Sequence, residues 1–374
     1  MQRYNIILNL QIFFEKILII YSWADFQPLI IKQIFTFAVW GIFSYLYAVI
    51  NAYYTMTPET SALIDSINVT LNAGGMNTIN IVLAFVMYGV ALGIKPGTFV
   101  EVFTKPRSLI LGMVCQLILL PLLTFLLALA LGSSISWTMA LGMILVASCP
   151  GGNISNFMSS LSKANVELSV SLTAVSTALA VLMTPFNFWL YGNLYLHSAN
   201  IAGEVPQLVI PLWDVFKTIF ILLGIPLTLG ILTARYLPKV AGALKKPLQY
   251  VSIVFFLAMV ILSFTGNMHA FLQCIRYIFL VVLIHNLLAL GIGFGVGSAF
   301  RVPHKDRRTL TIETGIQNSG LGLVLLLGTS LFANFPPHGG TLVITAWWGV
   351  WHIVSGLTVS TVFHLHEKKH PLPE

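Results

Sequence analysis

The length of its uncharged stretches constrains this chain more than any other feature. Ten apolar runs of about 20 residues, the helix length needed to cross ~30 Å of hydrocarbon, fall near residues 29–53, 79–95, 107–132, 136–161, 166–192, 210–236, 248–266, 274–299, 308–332 and 340–364. Hydrophobic residues make up 57% of the chain and charged residues 8%, against roughly a quarter charged in soluble domains. The sequence therefore reads as an all-α polytopic membrane protein of ten transmembrane helices. Upstream of the first run, "IILNLQIFFEKILIIYSW" carries Glu15 and Lys16 at its centre. That pair favours an interfacial helix within residues 1–27 over a further crossing segment, and the stretch lacks the small-residue cleavage site of a signal peptide.

Orientation follows from the loops. Arg3 and Lys16, then Lys95, Lys105 and Arg107, Lys163, Arg235, Lys239, Lys245 and Lys246, Arg301, Lys305, Arg307 and Arg308, and finally Lys368 and Lys369 all fall on one side if there are ten spans. That side is the cytoplasm, so both termini are expected there. Lys32, Lys217 and Arg276, on the other side, sit close to span ends, where long side chains reach the interface. The net charge of +7 is thus accounted for by topology and implies no nucleic-acid partner. Cys115, Cys149 and Cys274 are single, without metal-like spacing, and read as small buried hydrophobes. Asn68-Val69-Thr70 forms a glycosylation sequon on the outer side.

Two runs are interrupted. The fourth contains "CPGGNISN" and the ninth "ETGIQNSGLG". Each is fourth in its group of five, and because five is odd the second group enters the membrane from the opposite side. The expectation is two inverted five-helix repeats, over residues 28–192 and 208–366. Matching breaks in such halves point to a transporter's binding site. Non-helical backbone in hydrocarbon is tolerable only where protein, water or ions replace the lost hydrogen bonds. Freed carbonyls attract cations, and amides at a half-helix start attract anions.

The side chains around the breaks share one chemistry. Ser155, Asn156, Ser169 and Thr173 in the first half, and Glu313, Gln317 and Asn318 in the second, offer hard neutral oxygens with one carboxylate. Such a set suits a monovalent hard cation, sodium above all, and no imidazole or thiolate cluster accompanies it. Ser169 and Thr173, four apart, share a helix face. Gln116, in the third span, is a further amide costly to leave unpartnered in lipid. A carboxylate such as Glu313 at bilayer depth costs about 2.5–3.5 kcal/mol on insertion scales and marks ion or proton pathways. Against this, small residues often serve only helix packing, and serine or threonine back-bonds to its own helix. His285-Asn286 reads as a source of interhelical hydrogen bonds. An intramembrane hydrolase with Ser148 or Ser155 as nucleophile and His285 as base is the competing reading from another class, and no nucleophile motif surrounds either serine.

"CPGGNISN", "LSVSLTAVST" and "ETGIQNSG" together resemble the bile acid:sodium symporter family, in order and spacing over residues 79–365. The resemblance implies a panel domain of helices 1, 2, 6 and 7, and a core domain of helices 3–5 and 8–10 in which broken helices 4 and 9 cross. It further implies two sodium sites. Ser155, Asn156, Ser169, Thr173 and Glu313 would form the first. Gln116, Glu313 and Gln317, with the backbone carbonyls of Thr314 and Ile316, would form the second. The substrate, an organic anion such as a bile acid or smaller carboxylate, is expected near Asn153 and Asn318. Many bacterial relatives carry threonine where this chain has Asn153, which bears on substrate identity. The implied activity is sodium-coupled import by alternating access across a bacterial inner membrane. A sodium-independent organic-anion exporter is the runner-up, and no enzymatic reaction is expected.

Overall fold

The computed structural model describes residues 56–67, 73–92, 106–152, 154–199, 212–265, 268–327 and 339–369. These lie in the second of two parts of the chain, Ile50–Glu374. The expected interfacial segment, the first span, the sequon and Asn153 lie outside the described residues.

Among the described residues the secondary structure is helical apart from one antiparallel bridge between Gly151 and Gln317. In chain order the helices are α1 (Pro58–Asp65), α2 (Ala73–Ala91), α3 (Pro106–Val114), α4 (Leu120–Leu131), α5 (Trp137–Ser148), α6 (Ile154–Leu161), α7 (Val166–Ser198), α8 (Leu212–Ile219), α9 (Ile225–Tyr236), α10 (Pro238–Thr265), α11 (Met268–Ala299), α12 (His304–Gly315), α13 (Ser319–Leu327) and α14 (Gly339–Lys369). Single π-helical turns, Cys115–Leu119 and Phe220–Gly224, join α3 to α4 and α8 to α9. Each precedes a proline, Pro121 or Pro226. A proline lacks the N–H that would meet the carbonyl four residues back and its ring crowds that carbonyl, so the helix widens by a residue instead.

Among the described residues five stretches are long and apolar enough to cross a membrane: Arg107–Ser134, Val166–Ser198, Leu212–Tyr236, Leu272–Ala299 and Gly339–Lys368. The protein is an all-helical, multi-pass membrane protein. Leu182, Leu229, Ile261 and Leu272 are among the large apolar side chains left exposed, as lipid-facing surfaces require. Two helices outrun their apolar cores. The run expected at 248–266 belongs to α10, which starts at Pro238, a residue pre-organised for a first helical position. The run expected at 274–299 belongs to α11, which starts at Met268.

Packing gathers most helices into two sets, which touch each other through α2 on α13, α10 on α14 and α7 on α8. α2 lies against α9 and α10. Tyr88 Oη donates to Thr233 Oγ1 at 3.0 Å across the first contact, and a Cβ on Gly89 would stand 2.7 Å from the Leu248 Cβ. In the other set α14 runs along α5 and α13, α11 along α12, and α7 against α4, α5, α6 and α12. The buried residues of α5 include all but its first, and those of α13 all but Gly320, so the two broken helices occupy the centre of this set.

One end of the second set is tied by polar groups. Asp306 near the start of α12 accepts from Ser108 Oγ at 2.6 Å and from Asn165 Nδ2 at 2.8 Å, while Asn165 caps α7. Arg308 donates to the Ser162 carbonyl at 3.1 Å and pairs with Glu367 of α14. Charges thus collect where α12 and α14 leave the apolar layer.

Candidate cation site

Both helix breaks are shorter than the quoted motifs suggest. α5 stops at Ser148 because Cys149 precedes a proline and takes an extended conformation, φ −74° and ψ 157°. α6 resumes at Ile154, so Ser155 and Asn156 stand inside the first turn of a helix rather than in the break. α12 runs through Glu313 to Gly315, and only Ile316–Asn318 separate it from α13. The carboxylate therefore sits in the last turn of a half-helix, held by regular backbone instead of a loop.

The two breaks hydrogen-bond to each other. Gly152 N donates to the Ile316 carbonyl at 2.9 Å, and Asn318 N donates to the Pro150 carbonyl at 2.8 Å. This two-bond ladder is a local answer to the requirement that backbone groups in hydrocarbon be satisfied. It needs close approach: a Cβ on Gly152 would lie 3.1 Å from the Gln317 carbonyl oxygen.

Across this ladder, Glu313 faces three hydroxyls. Ser155 Oγ donates to its Oε1 at 2.5 Å, Ser169 Oγ donates to the same oxygen, and Thr173 Oγ1 lies 3.2 Å from Oε1 and 3.0 Å from Oε2. All four side chains are buried, Glu313 at 1% exposure and Ser155 and Ser169 at 0%. Ser169 and Thr173 share the face that their four-residue spacing implies. Asn156 follows Ser155 on α6 with its amide oxygen buried.

A second group of donors meets the other side of the carboxylate. Gln116 projects from the π turn; a Cβ on Gly151 would stand 2.7 Å from its Nε2 and 3.1 Å from Glu313 Oε2. Both atoms border the space that the missing side chain leaves. Gln116 is 1% exposed, yet neither its Oε1 nor its Nε2 has a hydrogen-bond partner, and Gln317 Oε1 is in the same position. Gln317 Nε2 donates to the Thr314 carbonyl at 2.8 Å. The Thr314 and Ile316 carbonyls each carry one hydrogen bond and keep a second lone pair. Unsatisfied amide oxygens beside a buried carboxylate are what a hard cation would complete. Among the described residues no three His, Cys, Asp or Glu side chains come together; the donors gathered here are hydroxyl, amide and carbonyl oxygens with one carboxylate.

Asn318 caps α13: its Oδ1 accepts from Leu321 N at 3.2 Å, which leaves the Nδ2 end to donate. The hydrolase arrangement is not assembled. Ser148 Oγ back-bonds to the Ile144 carbonyl at 2.7 Å, Ser155 is engaged by Glu313, and His285 meets Thr124 Oγ1 at 2.8 Å with its ring 4.6 Å from that of Trp348. Asn286 Nδ2 donates to the Gly315 carbonyl at 2.7 Å, tying α11 to the end of α12, in keeping with the interhelical role expected of this pair. Gly151 and Asn286 were not identifiable as site residues from sequence. Gly151 carried only the signal of lying in a Gly-Gly pair, and Asn286 that of an isolated amide in an apolar run.

A multi-pass helical bundle whose buried centre gathers a carboxylate, hydroxyls and amides has the make-up of a membrane transporter. Residues 80–274 match the sodium bile acid symporter family, and this chain belongs to it. Similar proteins include the sodium-dependent transporter YocS of Bacillus subtilis, 32% identical over 291 residues that make up 78% of this chain and 84% of that protein. The human sodium/bile acid cotransporter 4 is 30% identical over 269 residues, 72% of this chain and 58% of the human one. The ileal sodium/bile acid cotransporter of Cricetulus griseus is 27% identical over 283 residues, 75% of this chain and 76% of that protein.

Proposed function

We propose that the protein imports an organic anion together with two sodium ions, by alternating access. The observation that carries the proposal is Glu313, a buried carboxylate in the last turn of one half-helix, ringed by Ser155, Ser169 and Thr173 on one side and bordered by Gln116 on the other. Sodium coupling is further supported by the similarity to a sodium-dependent transporter and to a sodium/bile acid cotransporter.

The first ion would be held by Ser155, Asn156, Ser169, Thr173 and Glu313, and the second by Gln116, Gln317, Glu313 and the Thr314 and Ile316 carbonyls. As the hydroxyls stand, they donate to Glu313. For an ion to enter, they rotate so that their lone pairs face it, exchanging hydrogen bonds to a charged group, worth about 1.5–3 kcal/mol each, for coordination. The two ions then offset one negative charge by two positive ones. The surplus favours an anion against the exposed amides of the breaks, with Asn318 and Asn153 as donors.

The architecture that fits is ten spans in two inverted repeats, 28–192 and 208–366, with the breaks crossing at their interface. α2, α9 and α10 would belong to the panel with the first span. The set containing α3–α7 and α11–α14 would be the core, moving past the panel. In this reading the basic loops and both termini would face the cytoplasm, with the protein in a bacterial inner membrane.

Uptake of labelled anions, taurocholate and a small 2-keto acid among them, into proteoliposomes tests this reading. An inward sodium gradient should drive accumulation of at least one anion, and potassium should not replace sodium. Uptake indifferent to sodium would remove the coupling.

A further inference from the structure

Gln116 occupies its place only because the helix around it is not an α-helix. In an α-helix the Leu117 carbonyl would accept from the backbone N–H of residue 121, and that residue is Pro121, which has none. The chain answers with the π turn Cys115–Leu119, closed by Leu120 N on the Cys115 carbonyl. The turn inserts an extra residue, shifting side chains around the helix axis by about 100° per residue. It leaves the Leu117 carbonyl to find another partner. That partner is Asn187, just before the C-terminal third of α7: its Nδ2 donates to the Leu117 carbonyl at 2.9 Å, and its side chain is 3% exposed.

We propose that Asn187 is a positioning residue for the second cation site. It holds open the π turn that aims Gln116 at Glu313 without itself touching the ion. Asn187 is a costly residue to bury at bilayer depth, and capping one orphaned carbonyl accounts for its donor. Ser169 and Thr173, which face Glu313, stand on the same helix. The same helix, with Pro185 inside it, therefore meets the hydroxyl side of Glu313 through its first turns and supports the amide side through Asn187. The inference rests on the reading of Gln116 as a sodium ligand.

The test is the sodium dependence of uptake in proteoliposomes, read as the half-saturating sodium concentration and the Hill coefficient, for Gln116→Ala, Asn187→Leu, Pro121→Ala and the double variant Gln116→Ala/Asn187→Leu. Asn187→Leu keeps the volume and removes the donor. Pro121→Ala keeps Asn187 but supplies the missing N–H, so the π turn can close to an α-helix. Both should raise half-saturating sodium about as much as Gln116→Ala, roughly tenfold or 1.4 kcal/mol, and lower the Hill coefficient toward one. The double variant should be no worse than Gln116→Ala, because a positioning residue has nothing left to position. Asn187→Leu and Pro121→Ala with wild-type sodium dependence, or a double variant in which the losses add, overturn the inference while Gln116 remains a ligand. If Gln116→Ala itself leaves sodium dependence unchanged, the second site is wrong and the role of Asn187 falls with it. Should Asn187→Leu fail to insert, Pro121→Ala decides alone.

Discussion

At the scale of single residues, Glu313 dominates. A buried carboxylate without partners would be far costlier than the three hydroxyl donors allow here, since removing any partner of a buried charge exposes its desolvation cost. Glu313→Gln keeps the volume and removes the charge that both ions are proposed to share. Sodium-driven uptake should drop by at least about a hundredfold, some 2.7 kcal/mol, while the protein still inserts and binds detergent as a folded species. Sodium should no longer raise its thermal unfolding midpoint. Ser169→Ala removes one of three donors from one side, so it should weaken sodium activation by about tenfold and leave the maximal rate nearly intact. Equal losses in the two variants would mean that Glu313 acts at one site only. Asn318 offers a separate readout: its Oδ1 is committed to capping α13, so Asn318→Asp keeps the cap, removes the Nδ2 donor and adds a negative charge. It should weaken anion binding much more than sodium binding, measured by isothermal titration with each ligand, whereas unchanged anion affinity would move the anion site elsewhere.

At the scale of elements, the two short breaks do the work. Gly151 is one of the places where backbone, carboxylate and amide converge. Its φ is not in the left-handed region, so alanine fits the backbone and crowds only the site. Gly151→Ala should therefore leave the unfolding temperature within a few degrees of wild type and raise half-saturating sodium several-fold. A large loss of stability instead would show that the glycine serves the fold. Much of this was legible in the sequence. The apolar runs gave the helices, and Pro150 with its two glycines gave the first break. The single carboxylate among hydroxyls and amides pointed to Glu313, which the fold brings onto Ser155, Ser169 and Thr173, because a charge in an apolar run has few other uses. Motif length misled about where the breaks end, since Ser155, Asn156 and Glu313 look like loop residues but lie in regular turns. An interhelical bond from Asn286 was expected, but its partner, the Gly315 carbonyl, was not legible, because periodicity within one helix carries no information about the neighbour. The π turn was equally hidden, although Pro121 marks it in hindsight.

At the scale of the whole molecule, the proposed cycle is a movement of the set containing both breaks past α2, α9 and α10. The polar ties of Asp306 and Arg308 join α3, α7, α12 and α14 within one set, so that set can travel as a unit while its internal site stays intact. The proposed stoichiometry makes transport electrogenic. If two sodium ions travel with a monoanion, one net positive charge moves, worth roughly 2.3 kcal/mol per 100 mV, so an inside-negative potential should stimulate uptake several-fold. The central claim, a carboxylate shared by two cations that travel with one anion, is tested most directly by measuring labelled sodium and labelled monoanion fluxes together in proteoliposomes. The account predicts a flux ratio of two in wild type and no sodium flux coupled to anion in Glu313→Gln. A ratio of one in wild type, or an unchanged ratio in Glu313→Gln, would contradict it.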